Sequence, residues 1–278
     1  MSLQNIIVFV STGKQGQATV QALSDLGKFK ILAVSRDPSS EAAQALAKIP
    51  RVEVVKGEVG DHEHLFNQPI HGVFFVQMGF DFPAVLKDVG SLLDLSEKKG
   101  VKHVVFSGTD QCGKRDVGIG HPFLDCKKDI EDLVTAKSFD WTIIRPVGFL
   151  ENFYWPPYLD QVTTTWKETS NLVKKVISVI DIGKITAEVF AHPEKWAGKA
   201  INIAGDSLTP AQMELVWKET TGKSLDATET PQFPPGMAEA MDFFNKHEFE
   251  ASSGWTRENF PFVLDLKAWL KQSSFVSA

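Results

Sequence analysis

Ile6-Ile7-Val8-Phe9-Val10-Ser11-Thr12-Gly13-Lys14-Gln15-Gly16 is the stretch that decides how the first half of this chain folds. Ile6 to Val10 is an unbroken apolar run of strand length, the pattern of a central parallel strand covered on both faces. A loop with Gly13 and Gly16 follows it. A helical pattern then runs from Gly16 to Gly27, with Ala18, Ala22, Leu23 and Leu26 on one face and Gly27 as the stop. Strand, glycine loop and helix in this order present backbone N–H groups at a helix N-terminus, where a pyrophosphate can approach without meeting a β-carbon. A glycine pair alone is a common turn. Its place directly after a first strand, inside a strand–helix–strand unit, is what points to a dinucleotide. The competing reading is a tight turn that holds nothing.

The same alternation continues downstream. Ile31-Leu32-Ala33-Val34, Val52-Glu53-Val54-Val55, Gly72 to Val76, His103 to Phe106 and Trp141 to Ile144 read as further strands. Between them, Val85, Leu86, Val89, Leu92 and Leu93 trace a helix stripe up to Gly100, and Ile130, Leu133 and Val134 trace another. Strands that alternate with helices specify an α/β fold: a Rossmann-type doubly wound parallel sheet, each right-handed crossover laying its helix on the sheet. After about residue 150 the pattern changes. Aromatics and prolines crowd Phe149 to Tyr158, and Pro231-Gln232-Phe233-Pro234-Pro235 reads as an irregular loop. Ile182, Ile185, Val189 and Phe190 indicate one more helix, and Ile201-Asn202-Ile203-Ala204 a returning strand. The expected organisation is a nucleotide-binding domain over 1–150, with returning segments near 177–206, and a smaller discontinuous C-terminal lobe over 151–278.

Composition narrows the function. The chain has 278 residues, 43% hydrophobic and 23% charged, the profile of a globular protein with an ample core. A formal net charge of −6 and the lack of a long basic run argue against a broad phosphate-binding face, so no direct nucleic-acid partner is expected. No apolar run reaches the roughly 18–20 residues that span a membrane, and Met1 to Asn5 lacks the basic start of a secretory signal. Two cysteines, Cys112 and Cys126, make a poor disulfide framework and place the chain in a reducing, cytoplasmic compartment. Cys112 reads by default as a packing thiol, with a redox-sensing thiol as the alternative.

Cofactor choice is read where strand two ends, at Ser35-Arg36-Asp37-Pro38. An acid there accepts from the ribose hydroxyls of NAD, whereas an arginine clamps a 2′-phosphate. Arg36 has that fork geometry and Lys14 adds a second positive charge. Asp37 competes, unless it caps the next helix ahead of Pro38. Two cations against one carboxylate favour NADP(H); the plain alternative for both cations is solvated surface.

With these residues stand Val55-Lys56-Gly57-Glu58, Val104-Val105-Phe106-Ser107-Gly108, Asp125-Cys126-Lys127, Ile144-Arg145-Pro146, Phe149-Leu150-Glu151-Asn152, His192-Pro193-Glu194-Lys195-Trp196 and Leu266-Lys267-Ala268-Trp269-Leu270. In this order and spacing, over nearly the whole length, the chain resembles the NmrA-like branch of the atypical short-chain dehydrogenases/reductases, especially its NADPH-sensing members. It is more distantly similar to isoflavone reductase-type and quinone reductase-type enzymes. The resemblance implies a Rossmann fold that binds NADP(H). Ser11, Thr12, Gly13, Lys14, Gln15 and Gly16 would hold the pyrophosphate and Arg36 the 2′-phosphate. Glu58 would lie near the adenine, Gln77 near the ribose or nicotinamide, and Lys127 beside the nicotinamide ribose. Three departures stand out. Val10 replaces the usual first glycine, Glu58 replaces aspartate, and the segment between Tyr158 and Asp181 is shorter than in the sensor members.

Short-chain dehydrogenases use a Tyr-x-x-x-Lys pair, whose ammonium lowers the phenol's pKa. This chain has two tyrosines. Four residues after Tyr154 comes Tyr158, and four after Tyr158 comes Val162, so the pair is absent. Lys127 is left as the acid/base candidate, against the plainer role of holding ribose hydroxyls. His103 reads as a structural histidine, and His121 as a possible cleft residue. His62 and His64 share no helical face and suggest no metal site. Phe149, Phe153, Tyr154, Trp155 and Tyr158 are either core or an apolar wall for a flat substrate, with Phe149, Tyr154 and Trp155 as pocket candidates. Two functions fit: a cofactor-sensing regulator with a protein partner, or an NADPH-dependent reductase of a quinone, enone or aromatic metabolite.

Overall fold

A computed structural model of the chain describes residues 3–77, 79–155, 159, 172–225 and 237–276. The strands are β1 (Gln4–Val8), β2 (Phe29–Ser35), β3 (Val52–Lys56), β4 (Gly72–Val76), β5 (His103–Ser107), β6 (Asp140–Pro146), β7 (Gly148–Phe149), β8 (Lys174–Ile177), β9 (Lys199–Ile203) and β10 (Asp206–Leu208). The helices are α1 (Lys14–Leu26), α2 (Glu41–Leu46), α3 (Phe82–Lys98), α4 (Pro122–Thr135), α5 (Val179–Ala191), α6 (Pro193–Trp196), α7 (Pro210–Thr221), α8 (Met237–Lys246), α9 (Ser253–Asn259) and α10 (Leu266–Gln272). They divide between two compact units. The first comprises Met1–Gly108, Asp125–Arg145 and Ile182–Ile201, the second Thr109–Leu124, Pro146–Asp181 and Asn202–Ala278. The boundary therefore differs from one cut at residue 150, since residues 109–124 group with the second unit.

The main sheet has the order β3-β2-β1-β4-β5-β6-β9, and β1 to β6 pair parallel throughout. Side chains alternate across its strands. One face carries Ile7, Phe9, Leu32, Val34, Val73, Phe75, Val104 and Phe106, which pack with Val89, Leu92 and Leu93 of α3 and Ile130 and Val134 of α4. Full burial of such side chains stabilises by roughly 1.5–3 kcal/mol each. On α5, Phe190 approaches Phe29 and His103 edge-on, with ring centroids 6.4 and 5.3 Å apart. Gly183 lets α5 come close to α1: a β-carbon there would lie 2.4 Å from the carbonyl carbon of Ala18.

Strand one is shorter than its apolar run. It ends at Val8 and not Val10, although the Phe9 amide still donates to Phe74 O at 3.0 Å. Val10 belongs to the turn, at φ 53°, and the first helix begins at Lys14 instead of Gly16. Its end matches the expectation, with Gly27 left-handed at φ 69°.

The second unit has its own sheet, β10-β8-β7, antiparallel across β10–β8 and parallel across β7–β8. Leu150, Phe153, Met213, Trp217, Leu266 and Trp269 form its core. The Glu151 carboxylate ties it together, accepting from Ser178 Oγ at 2.7 Å, Val179 N at 2.8 Å and Trp269 Nε1 at 3.2 Å. Tyr158 and the run Pro231 to Pro235 lie outside the described residues. Among those described, no helix is long and apolar enough to cross a membrane.

Candidate functional site

In the first unit, sequence order and spatial order part company between β1 and β4, the switch point where open parallel sheets leave a crevice at their carboxyl ends. The glycine loop lies there. Ser11 is buried and its hydroxyl donates to Val34 O at 2.8 Å, so it anchors the loop on β2. Gly13 is the N-cap of α1. No side chain caps that helix and its first turn carries no acid, which keeps its positive end suited to an anion. Gln15 is fixed from the far side, its Oε1 accepting from Ser107 Oγ at 2.7 Å. Gly16 is the tightest point: a β-carbon on it would stand 2.1 Å from Val10 O.

Arg36 follows β2 and is exposed, as is Asp37. Asp37 does not cap α2; Ser40 does, its hydroxyl accepting from Ala43 N at 3.4 Å. The Asp37 carboxylate instead accepts from Ser39 N at 2.9 Å and Ser39 Oγ at 2.6 Å. These bonds hold its pKa below the usual carboxylate value, with Ser39's hydroxyl as the leading cause and the Lys56 charge also contributing. Sequence reading missed Lys56 as a site residue. It ends β3 as the ladder partner of Ser35, and its charge is felt at Asp37, the residue after Arg36. The signal was the β2–β3 register, invisible until the strands are paired. Glu58, two residues on, is exposed, and its backbone bridges Asp61.

Gln77 follows β4 and is 8% exposed. Among the described residues neither its amide nitrogen nor its amide oxygen finds a hydrogen-bond partner. Leaving such groups unmet costs about 1–3 kcal/mol each.

Lys127 on α4 is buried. Burial pushes its ammonium down to about 8, while Cys126 and Glu131 pull the other way. Glu131 is itself gripped by Arg145 through bonds of 2.9 and 2.6 Å. The position one turn before Lys127 on α4 is Phe123, so the spacing that short-chain dehydrogenases fill with a phenol carries a ring without a hydroxyl.

The remaining sequence candidates separate. Phe149 lines a cavity of about 160 Å³ in the second unit, but Tyr154 and Trp155 are not among its walls. Tyr154 stacks on Phe275 with centroids 4.7 Å apart, and Trp155 packs on the Leu150–Trp217 core. Phe153 is core, 1% exposed. His103 is buried with Nε2 2.9 Å from Thr142 Oγ1, and burial holds it down to about 4. The His62 and His64 rings face the backbone carbonyls of Val59 and Lys56 at 2.5 and 2.7 Å. His121 is half-buried, with no partner for Nδ1 among the described residues. Cys112 is buried, and burial pushes its thiol up to about 12.

Known proteins share this architecture. NmrA, a negative transcriptional regulator solved in complex with NADP, matches at a TM-score of 0.78 and 16% identity, over 98% of this chain and 95% of that one. The Citrobacter sp. triphenylmethane reductase complexed with NADP(H) matches at 0.76 and 18%, over 97% and 99%. At these identities the likeness is one of fold. In sequence, the chain is 25% identical to an NmrA-like family domain-containing protein of Dictyostelium discoideum, over 80% of this chain and 79% of that one. It is 28% identical to the NmrA-like family domain-containing oxidoreductase FrzB of Cladobotryum sp, over 78% and 74%. The model of the NmrA-like family matches residues 2–262, and the chain belongs to that family.

Proposed function

We propose that this chain binds NADP(H) at the carboxyl edge of its parallel sheet and works as a cofactor-responsive regulator, with the first unit holding the nucleotide and the second carrying the partner surface. The observation that carries the nucleotide reading is Gln77: a buried amide with both polar atoms unmatched among the described residues, one strand away from a glycine loop with no room for a β-carbon at Gly16. The residues fit the group. The loop from Ser11 to Gly16 cradles the pyrophosphate, Arg36 and Lys56 bracket the 2′-phosphate, Glu58 lies at the adenine end, and Gln77 and Lys127 hold the ribose and carboxamide. When bound, the nicotinamide supplies a hydride donor or acceptor.

The regulatory half of the proposal is supported by Phe123, which leaves the Tyr-x-x-x-Lys spacing without a proton relay. For binding to act as a signal, NADPH and NADP⁺ must favour different conformations by unequal affinity. A reductase is the second reading, and Lys127 favours it: an ammonium at about 8 can surrender a proton near neutrality, which a solvated lysine cannot. Several fungal relatives, FrzB among them, bear the name oxidoreductase.

The deciding experiment is NADPH titration by fluorescence, followed by NADPH oxidation assays across quinones, enones and aromatic ketones. Tight binding, a partner gained or lost with the cofactor, and no turnover support the regulator. Steady oxidation whose rate at saturating NADPH falls at least a hundredfold in Lys127→Ala would overturn it. Absence of NADPH binding would remove both readings.

A further inference from the structure

We propose that Ser39 is a positioning residue for cofactor choice: it holds the Asp37 carboxylate inside its own turn, so that the end of β2 offers a bound nucleotide an arginine and withholds an acid. The inference rests on the nucleotide reading above and gives a role to a residue outside it.

An NAD-type ribose is read at this place by a carboxylate that accepts from its hydroxyls, and the same carboxylate repels a 2′-phosphate. Arg36 and Asp37 are adjacent and both exposed, so free side chains there would impose opposite choices. The turn separates them. Oδ1 of Asp37 accepts twice from one residue, from Ser39 N at 2.9 Å and from Ser39 Oγ at 2.6 Å. Neighbouring ribose hydroxyls are met by the two oxygens of a carboxylate, and one of the two is committed here. The backbone of Asp37 is held as well. Its carbonyl accepts from Ser35 Oγ at 3.0 Å and Ser40 Oγ at 2.8 Å, and its amide donates to Ser35 Oγ at 3.2 Å. Ser35 is buried at the end of β2 and Ser40 caps α2, so both anchors belong to the frame of the fold. Gln44 on α2 adds a bond to Pro38 O at 2.8 Å. Entry into α2 does not need the Asp37 carboxylate, because Ser40 already caps that helix. What the short bond from Ser39 Oγ does is keep a charged side chain turned inward, and bonds of this charge-assisted kind are the strong ones.

The test is fluorescence titration with NADPH and with NADH of the unaltered full chain, Ser39→Ala, Asp37→Asn, and the two changes together. Ser39→Ala removes the hydroxyl bond and leaves the backbone one, so the ratio of NADPH to NADH affinity should fall several-fold. With Asp37→Asn in place there is no carboxylate to release, and adding Ser39→Ala should leave the ratio where Asp37→Asn alone puts it. A merely structural serine would not show this coupling: loosening the turn under Arg36 would weaken NADPH in both backgrounds alike. An unchanged ratio in Ser39→Ala, or the same fall with and without the Asp37 carboxylate, would overturn the proposal and leave the nucleotide reading standing. Binding of neither nucleotide by the unaltered chain would overturn that reading, and this inference with it.

Discussion

The carbonyl oxygen of Val10 stands 2.1 Å from the point a β-carbon on Gly16 would occupy, and the Cα of Ser11 only 2.7 Å from it. Neither neighbour is a flexible side-chain tip, so α1 can settle onto its loop only because residue 16 has no side chain. Gly13 is less confined, its nearest neighbours being Val10 Cγ1 at 3.2 Å and Val10 O at 3.3 Å. Gly16→Ala is therefore expected to cost about 1–3 kcal/mol as overpacking, several degrees in the thermal midpoint, and to abolish NADPH binding. Gly13→Ala should leave the midpoint almost unchanged. Thermal melts with and without NADPH check this, and equal losses in the two variants would refute the geometric account.

Val10 itself is held at φ 53°, a left-handed conformation that β-branched residues avoid. Holding it there costs about 1–2 kcal/mol. Val10→Gly removes that strain but adds unfolded-state freedom worth roughly 0.5–1 kcal/mol and loses a partly buried side chain. The two effects nearly cancel, so the melting point should move by only a few degrees. NADPH affinity should rise several-fold, because the isopropyl group crowding Gly13 is gone. Weaker binding in Val10→Gly would mean that the side chain supports the loop.

The same residue shows where the sequence was and was not legible. Short apolar runs identified the strand positions from Ile6 to Ile144, because burial is what hydrophobic pattern reports. It also carried strand one two residues too far, since Val10 continues the apolar run while its backbone has already turned. Pattern reports burial, not φ. Lys56 was hidden for another reason: its place across from Ser35 depends on the register of β2 against β3, a long-range pairing with no local signature. The aromatics from Phe149 to Trp155 read as one group, either core or wall, but a 3-10 turn over Leu150–Tyr154 sends them to different neighbours. Gln77 was reached only through resemblance. Its unmatched amide is a property of packing, which no spacing encodes.

Arg36 and Lys56 should make the chain prefer NADPH to NADH. A charge-assisted contact to phosphate contributes about 1.5–3 kcal/mol, or roughly ten- to a hundredfold. Arg36→Ala is expected to weaken NADPH by that factor and NADH hardly at all, with Lys56→Ala producing a smaller loss of the same sign. Both effects should shrink as salt is raised. Equal weakening of the two nucleotides would remove the 2′-phosphate from this edge.

Neither cysteine should respond to oxidants in the folded chain. Cys112 and Cys126 are both buried, and burial raises both thiols, Cys112 to about 12. At pH 8 a thiol with that pKa is thiolate in only about one molecule in ten thousand. A disulfide-exchange reagent at pH 8 should label the native chain very slowly and both thiols promptly after denaturation. Fast native labelling of Cys112 would restore a thiol-based redox role and take that role away from the nicotinamide.

Lys127 should leave a signature in stability against pH. Its ammonium falls from 10.5 to about 8 on folding, chiefly through burial. Between those values the unfolded chain holds a proton that the folded chain has released, so stability rises with pH across the window. Below pH 8 the buried charge destabilises in full, by up to about 3 kcal/mol at 1.36 kcal/mol per pH unit. The raised cysteine thiols act in the opposite sense above their unfolded pKa, but they are common to wild type and variant and cancel in the difference. Lys127→Met should thus be the more stable protein at pH 7, by urea denaturation, with the gap closing between pH 8 and 10.5. On the proposed role of Lys127 at the ribose, NADPH affinity should fall through pH 8 in the wild type as its ammonium is lost, and stay flat in Lys127→Met. A stability gap independent of pH would show that the lysine is solvated when the chain is folded.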